Sequence, residues 1–329
     1  MARARNDDPE VLFRDASTGS RAALARLLSL VERGGEPARA VSRLAHPLAG
    51  HAATVGITGA PGSGKSTLTN ALLNELRRTE EKVAVLAIDP SSPFTGGAIL
   101  GDRVRMGDHV LDEGVFIRSM ATRGHLGGLS LATPESVRLL DALGYPWVVI
   151  ETVGVGQVEV EIAGTADTRV VVVNPGWGDA VQANKAGLME IADIFVINKA
   201  DRPGTTDTRR DLEQMLELAG IVHHPTADAP APIAEPWRPP IVESVASAGT
   251  GVAAMLAEIR AHRTWLVASG ELEVRRRARL DEELERVVLA RLLERVRSVG
   301  GTDLYAEVRS AVADRTLDPW TAAERLLDL

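Results

Sequence analysis

One segment of the chain has the residue types and the spacing of a phosphate-binding loop. It begins at Gly59, ends at Ser66 and satisfies the pattern G-x-x-x-x-G-K-[ST] in full. In such loops the glycines let backbone N–H groups point at phosphate oxygens, the lysine reaches the β- and γ-phosphates, and the last hydroxyl binds Mg²⁺. The alternative is a glycine-rich turn with an incidental lysine. The predicted nucleotide-binding residues here are Gly59, Ala60, Pro61, Gly62, Ser63, Gly64, Lys65, Ser66 and Thr67.

A second motif, Asn198-Lys199-Ala200-Asp201, identifies the base. A carboxylate at position 201 accepts from both the N1–H and the N2 amino group of guanine, whereas adenine leaves it unpaired. Lys199 would lie along the base, and Asn198 would brace the surrounding loops. The alternative is that Asn198 and Asp201 only cap a loop. Since the motif follows a phosphate-binding loop and ends an apolar run, it predicts GTP and GDP as ligands.

Acidic residues end two further apolar runs, at Asp89 and Glu151. Ligands of an open α/β sheet bind at the carboxyl ends of the strands, so these side chains are candidate Mg²⁺ ligands. Glu151-x-x-Gly154 has the spacing of an acid that holds Mg²⁺ through a water, or orders the attacking water, and a glycine that senses the γ-phosphate. Ras-like GTPases have a glutamine directly after this glycine. Here Val155 follows, and the nearest glutamine is Gln157, so we expect slow intrinsic hydrolysis that a partner stimulates.

The elements that must position these residues can be predicted from hydrophobic periodicity. Short, nearly continuous apolar runs alternate with helical stretches, as in a parallel sheet buried on both faces. The predicted fold is therefore α/β, a doubly wound, mostly parallel P-loop NTPase sheet. The predicted strands are Thr54–Thr58, Val83–Ile88, Trp147–Ile150, Val170–Val173, Ile194–Ile197 and Ile241–Val245, and the predicted helices between them are Ser66–Thr79, Pro134–Leu143 and Thr208–Ala219.

Helical extensions are predicted at both ends of this domain. Leucines at helical spacing precede Gly34-Gly35, and residues 1–50 form the predicted N-terminal extension. The P-loop domain is predicted over 51–262 and a C-terminal helical arm over 263–329. In this arm, an i, i+4 stripe runs from Leu280 to Val296, with further apolar residues beside it. Because such a face is too broad for a lone exposed helix, it must pack on the domain or on another chain.

Composition excludes several classes of function. The formal net charge of -8 opposes binding to nucleic acid through phosphate contacts. There is no cysteine, which rules out disulfides and zinc–thiolate sites and fits a reducing cytoplasm. The first residues lack the apolar stretch of a secretory signal, and no window has the roughly 18 apolar residues of a membrane span. We therefore expect a cytoplasmic protein without nucleic-acid or membrane partners.

These motifs together resemble those of a known family. The chain is similar to the methylmalonyl-CoA mutase-associated GTPases of the MeaB type, once named arginine/ornithine transport kinases (ArgK), within the SIMIBI-class P-loop GTPases. The likeness covers about residues 10 to 290. It rests on the phosphate-binding loop and on Asp89-Pro90-Ser91-Ser92, Glu151–Gln157, Asn198–Asp201, Trp237-x-Pro239 and Ala268–Leu272.

The resemblance implies a homodimeric chaperone that assembles and protects adenosylcobalamin-dependent methylmalonyl-CoA mutase, with GTP and Mg²⁺ as cofactors. It implies that Asp89 and Asp102 lie at Mg²⁺ or switch I positions and that Glu151–Gln157 form switch II. It also implies that 176–187 form a loop coupling nucleotide to mutase and that the C-terminal helices form the dimer. The catalytic candidates are then Lys65, Asp102, Glu151 and Gln157, and the metal candidates are Ser66, Asp89, Asp102 and Glu151.

The sequence departs from the family pattern after the last predicted strand. A Ser-Ala pair often supports the guanine oxygen there, and the matching pair in this chain is Val245-Ala246. The Ala246 N–H could still donate a hydrogen bond to the base. Two other functions are considered. A metal-delivery GTPase is disfavoured by the lack of cysteine and of a His-rich stretch, and a kinase would need an acceptor pocket that the sequence does not show.

Overall fold

The computed structural model describes residues 7–90, 109, 111–122, 132–152, 164–176, 191–222, 236–299 and 301–327. The chain divides into two compact units, Met1–Arg275 and Arg276–Leu329. None of the described helices is both long and apolar enough to cross a membrane. The domain boundary predicted after residue 262 falls inside a helix, and the division into domains stays a proposal.

The first unit is built on a seven-stranded sheet in which all neighbouring strands are parallel. The strand order is β3-β2-β4-β1-β5-β6-β7. The central strand β1 therefore lies between β4 and β5. The chain builds one half of the sheet with β2, β3 and β4, and then crosses to the other half with β5, β6 and β7, as a doubly wound sheet requires. The strands are β1 (Ala53–Gly59), β2 (Val83–Pro90), β3 (Val115–Thr122), β4 (Trp147–Thr152), β5 (Thr168–Val173), β6 (Ile194–Asn198) and β7 (Ile241–Ser244).

Ten α-helices are found in the described residues. Seven of them belong to the first unit: α1 (Pro9–Ser17), α2 (Arg21–Arg33), α3 (Gly35–Ala45), α4 (Lys65–Arg77), α5 (Ala132–Ala142), α6 (Thr205–Val222) and α7 (Val252–Ser269). The long helix α8 (Glu271–Val299) begins in the first unit and continues into the second. The second unit also contains α9 (Gly301–Ala313) and α10 (Pro319–Leu327). In the first unit, single turns of 3₁₀-helix cover His46–Leu48 and Ala246–Ala248.

Alternation along the strands divides the core between the two faces of the sheet. On one face, Leu86 and Ile150 share a buried cluster with α5 and with the N-terminal helices, including Leu27. On the other face, Val85 and Val149 pack with residues of α4 and α7. The N-terminal helices thus form part of one covering layer of the sheet. Both sides of β1 are covered, which leaves the carboxyl ends of the strands as the place for a ligand.

The sequence predictions of fold agree with this architecture. All six predicted strands are present within a few residues of their predicted bounds, and the three predicted helices correspond to α4, α5 and α6. The pair Gly34-Gly35 also follows a helix as predicted, since α2 ends at Arg33. One strand was missed. β3 lies at the edge of the sheet, and its apolar pattern is interrupted by Arg118-Ser119, so it does not read as a buried run.

Candidate nucleotide site

The predicted phosphate-binding loop joins the central strand β1 to α4. Gly59 ends β1, and α4 begins at Lys65. Three glycines in the loop have positive φ, with values of 136° at Gly59, 74° at Gly62 and 93° at Gly64. A Cβ at Gly59 would collide with the backbone oxygen of Val172 in β5, so this position has no room for a side chain. The glycines therefore allow both the curl of the loop and its close approach to the next strand.

The N-terminus of α4 provides the polar groups that a phosphate chain needs. Its N-cap is Gly64, which has no side chain to accept from the helix, and the first hydrogen bond of the helix runs from Leu68 N to Gly64 O at 2.9 Å. The N–H groups of the first helical residues consequently lack acceptors within the helix. These groups and the positive end of the helix dipole form an anion-binding site at the carboxyl end of β1.

Lys65 and Ser66 face opposite partners across this site. Lys65 Nζ donates to Gly59 O at 2.5 Å and to Ala60 O at 3.2 Å, so the ammonium group lies over the start of the loop. Ser66 Oγ donates to Glu151 Oε1 at 2.5 Å. Lys65 and Ser66 are each 7% exposed and Glu151 is 0% exposed. The structure therefore brings a buried cation, a hydroxyl and a carboxylate to the ends of β1 and β4.

Asn198 connects the phosphate-binding loop to the predicted base-binding loops. It ends β6, and its Nδ2 donates to the backbone oxygen of Ser63 at 2.8 Å. Its Oδ1 accepts from Ala246 N at 3.0 Å and from Ser244 Oγ at 3.2 Å. A Cβ at Gly64 would collide with the Asn198 amide, which gives that glycine a second constraint. The side chain of Asn198 thus makes three hydrogen bonds to neighbouring loops, as the predicted bracing role requires.

The other two residues of this motif lie at the surface beside the loop. Lys199 has a positive φ of 59°, and its Nζ donates to Gly62 O at 2.6 Å. The turn is held by a hydrogen bond from Ala200 N to Ser244 O at 3.0 Å and by one from Arg202 N to Lys199 O at 3.0 Å. Asp201 is exposed. The Asp201 carboxylate is therefore open to solvent, at the turn whose Lys199 contacts the phosphate-binding loop.

The loop after β7 differs in one respect from the sequence prediction. Ala246 N, which was considered as a donor to the base, donates to Asn198 in this structure. Val245 N donates to Thr250 O at 3.0 Å. The residue that sequence reasoning missed is Ser244, which is 1% exposed and contacts Asn198. Its place directly before the Val245-Ala246 pair is visible in the sequence, but its contact with Asn198 depends on the pairing of β6 with β7.

Some of the predicted site residues lie outside what the structure describes. Asp102, Gly154 and Gln157 are outside the described residues, as is the predicted coupling loop beyond Gly176. Asp89 is in β2, paired with Ala121 of β3, but its side chain is not among the described ones. The described part of the site therefore consists of residues 59–67, Glu151, residues 198–201 and residues 244–246.

This fold and this loop define the chain as a P-loop nucleotide-binding protein, since a complete phosphate-binding loop lies at the central strand of a doubly wound parallel sheet. A comparison with protein families makes the class specific. The family model described as methylmalonyl Co-A mutase-associated GTPase MeaB matches residues 24–300. The chain therefore belongs to the MeaB family of P-loop GTPases, as the motifs predicted.

Individual relatives agree with this assignment. A putative GTPase of Pyrococcus abyssi is 48% identical over 309 residues, which cover 94% of this chain and 93% of the relative. The GTPase ArgK of Escherichia coli is 36% identical over 316 residues, with 94% of this chain and 92% of the relative covered. The crystal structure of a LAO/AO transport system kinase has a TM-score of 0.67 and 30% identity, covering 99% of this chain and 98% of that one.

Proposed function

We propose that this GTPase is a chaperone that assembles and protects an adenosylcobalamin-dependent methylmalonyl-CoA mutase, and that it does so in the cytoplasm. The observation that carries the proposal is the family match over 24–300, because the family is described as associated with that mutase. A chaperone of this kind needs a nucleotide site whose state can be timed. The complete loop at β1, joined to the base-binding loops through Asn198, supports such a site.

In this proposal, residues 59–67 bind the phosphates of GTP and GDP. Lys65 neutralises charge on the phosphate oxygens, and the N–H groups at the start of α4 donate to them. Asp201 accepts from N1–H and N2 of guanine, and Lys199 covers the base. The hydrogen bond from Lys199 Nζ to Gly62 O supports this arrangement, since it holds the lysine beside the phosphate-binding loop.

The donor set at the end of β4 fits Mg²⁺. The hydroxyl of Ser66 and the carboxylate of Glu151 are hard oxygen groups, and their oxygens lie 2.5 Å apart at the phosphate end of the site. Ser66 and Glu151 would hold the ion, and Asp89 and Asp102 are the other proposed ligands. The chemistry that Mg²⁺ supplies when bound is neutralisation of charge on the phosphate oxygens. Glu151 and Gln157 would orient the attacking water.

We also propose that the chain acts as a homodimer through its C-terminal helices. Along α8, Leu280, Leu284, Val288 and Leu292 are between 43% and 61% exposed, and they follow one another at i, i+4 spacing. A helix with an exposed apolar stripe of this length is stabilised by burying it against a second helix. A second copy supplies the same stripe, as closed symmetric assemblies of one chain require.

The proposed partner can be tested by adding purified methylmalonyl-CoA mutase to this protein and measuring GTP hydrolysis. We expect the rate to rise with mutase concentration to a plateau and the two proteins to co-migrate on gel filtration. The Lys65→Ala variant, which should lose tight nucleotide binding, controls for contaminating GTPases. The absence of both stimulation and co-migration would count against the chaperone function while leaving the GTPase itself intact.

A second experiment tests whether the chain acts as a GTPase or as a kinase, the function stated in the name of one structural relative. With nucleotide labelled in the γ-phosphate, a GTPase releases the label as inorganic phosphate, whereas a kinase transfers it to a third molecule.

Asp201→Asn should weaken GTP binding and favour xanthosine nucleotides, because the new amide pairs with the xanthine carbonyl. Unchanged GTP affinity in Asp201→Asn would refute the base-reading role.

A further inference from the structure

The amide of Asn198 is held in one orientation by groups on two separate loops. Its Oδ1 accepts from two donors, Ala246 N and Ser244 Oγ, while its Nδ2 faces one acceptor, the Ser63 carbonyl. Rotating the amide by half a turn would set NH₂ against an N–H group and oxygen against a carbonyl. Because Asn198 is only 2% exposed, water cannot replace these bonds. The orientation of the amide is therefore determined by its neighbours.

Ser244 acts on both sides of the base-binding region. Its side chain donates to Asn198, and its carbonyl accepts from Ala200 N in the turn that carries Lys199 and Asp201. Ser244 is 1% exposed and is the last residue of the edge strand β7. Its pairing partner in the parallel register is Asn198 itself. One residue thus links β7, the turn after β6 and, through Asn198, the phosphate-binding loop.

We propose that Ser244 is a positioning residue for guanine recognition. Its hydroxyl fixes the Asn198 amide, which sets the separation between the Ser63 carbonyl and Ala246, and hence the gap in which the base binds. Ser244 does not touch the nucleotide and takes no part in phosphate chemistry. This inference rests on the proposed reading of guanine by residues 198–201.

The size of the effect follows from the loss of one buried hydrogen bond. In Ser244→Ala, the Asn198 oxygen keeps the Ala246 donor but loses the hydroxyl, and the loop after β7 is held less firmly. A bond of this kind corresponds to about 3- to 10-fold in affinity. We expect the affinity for GDP to fall by that factor, while the much weaker affinity for ADP stays unchanged, because adenine does not use this arrangement.

The experiment compares three substitutions at one position with a control nearby. Ser244→Thr keeps a hydroxyl, Ser244→Cys keeps the volume with a weaker donor, and Ser244→Ala removes the donor. Ser247→Ala, at an exposed serine in the following 3₁₀ turn, is the matched control. GDP and ADP affinities are measured by calorimetry or competition, GTP turnover is measured in parallel, and thermal unfolding identifies any variant that fails to fold.

We expect GDP affinity and the ratio of GDP to ADP affinity to decrease in the order wild type, Ser244→Thr, Ser244→Cys, Ser244→Ala. The KM for GTP should rise by the same factor in each variant, with kcat within about twofold of wild type. Lower thermal stability with an unchanged GDP-to-ADP ratio in both Ser244→Ala and Ser244→Cys would overturn the positioning role. Failure of the proposed function would look different, since the wild-type protein would then show no preference for GDP over ADP.

Discussion

The helical extensions at the two ends of the chain both carry leucines at helical spacing, but these leucines lie in different environments. In α2, Leu24, Leu27 and Leu28 are at most 3% exposed and pack with residues of the sheet and of α5. In α8, Leu284 and Leu289 are 61% and 60% exposed. Leucines at helical spacing therefore predict an amphipathic helix in both places, but they do not tell what the apolar face contacts.

The difference indicates two separate uses of an extension. The N-terminal helices complete one layer of the sheet, so they belong to the same core as the nucleotide site. The stripe on α8 stays exposed in the chain as described, and contiguous exposed apolar surface of this kind is typical of an assembly surface. Substitutions in α2 should accordingly change the free energy of unfolding, and substitutions in α8 should change association.

The largest effect is expected for Leu27→Ala. Leu27 is 0% exposed, so truncation leaves a cavity and should lower the free energy of unfolding by about 2–5 kcal/mol. The matched substitution Leu289→Ala, on a side chain that is 60% exposed, should stay within about 0.5 kcal/mol. Urea denaturation at low protein concentration measures both values. An equal decrease in the free energy of unfolding in the two variants would contradict the proposed difference between the extensions.

The next effect concerns a fully buried histidine in α7, the helix that precedes α8. His262 in α7 is 0% exposed, and its Nε2 lies 3.5 Å from Asp193 Oδ1. The pKa of His262 is lowered to about 4, mainly by burial; Arg275 and Arg169 also act to lower it, while Asp193 and Asp167 act in the opposite direction. Because the usual pKa is about 6.5, the unfolded chain binds the proton more tightly.

The sign of the pH dependence follows directly. Neutral His262 favours the folded state, so its contribution is complete above pH 6.5 and is lost as the pH falls towards 4. The full loss is about 3 kcal/mol, of which about 2 kcal/mol should be gone at pH 5. Asp193 has a pKa below its usual value of 3.8, so its contribution is lost only at lower pH. Urea denaturation at several pH values from 7 to 5 gives the free energy of unfolding as a function of pH. The slope of this free energy against pH should be smaller in His262→Gln than in the wild type, by an amount that corresponds to about one bound proton.

The nucleotide site and the sheet show which features could be predicted from the sequence. The phosphate-binding loop, the Asn198 motif and six strands were predictable, because each depends on neighbours within a few residues. β3 was not, since its Arg118 is balanced by Glu32, 86 residues away. The hydroxyl of Ser244 was missed for a similar reason. Its partner Asn198 is 46 residues distant, and only the parallel pairing of β6 and β7 places the two together.

The third prediction concerns the stripe on α8. If α8 pairs with a second copy, Leu284→Ala and Val288→Ala should each weaken self-association by about 1–2 kcal/mol, or roughly 10-fold in the dissociation constant. Analytical ultracentrifugation over a concentration series gives this constant. Trp320→Ala, at a side chain that is 84% exposed in α10, removes apolar surface outside the stripe as a control. A wild-type protein that stays monomeric at high concentration would contradict the proposed dimer.

The smallest effect tests how the N-terminal extension is fixed to the edge of the sheet. Arg118 of β3 binds Glu32 of α2 through two hydrogen bonds of 2.9 Å, with the side chains 18% and 19% exposed. A double-mutant cycle with Arg118→Ala and Glu32→Ala should give a coupling of about 1 kcal/mol. The Arg43–Glu36 pair is the matched control, because its 2.7 Å contact joins side chains that are both 65% exposed and should give a coupling close to zero. A coupling near zero for Arg118–Glu32 as well would mean that apolar packing alone holds the extension to the sheet.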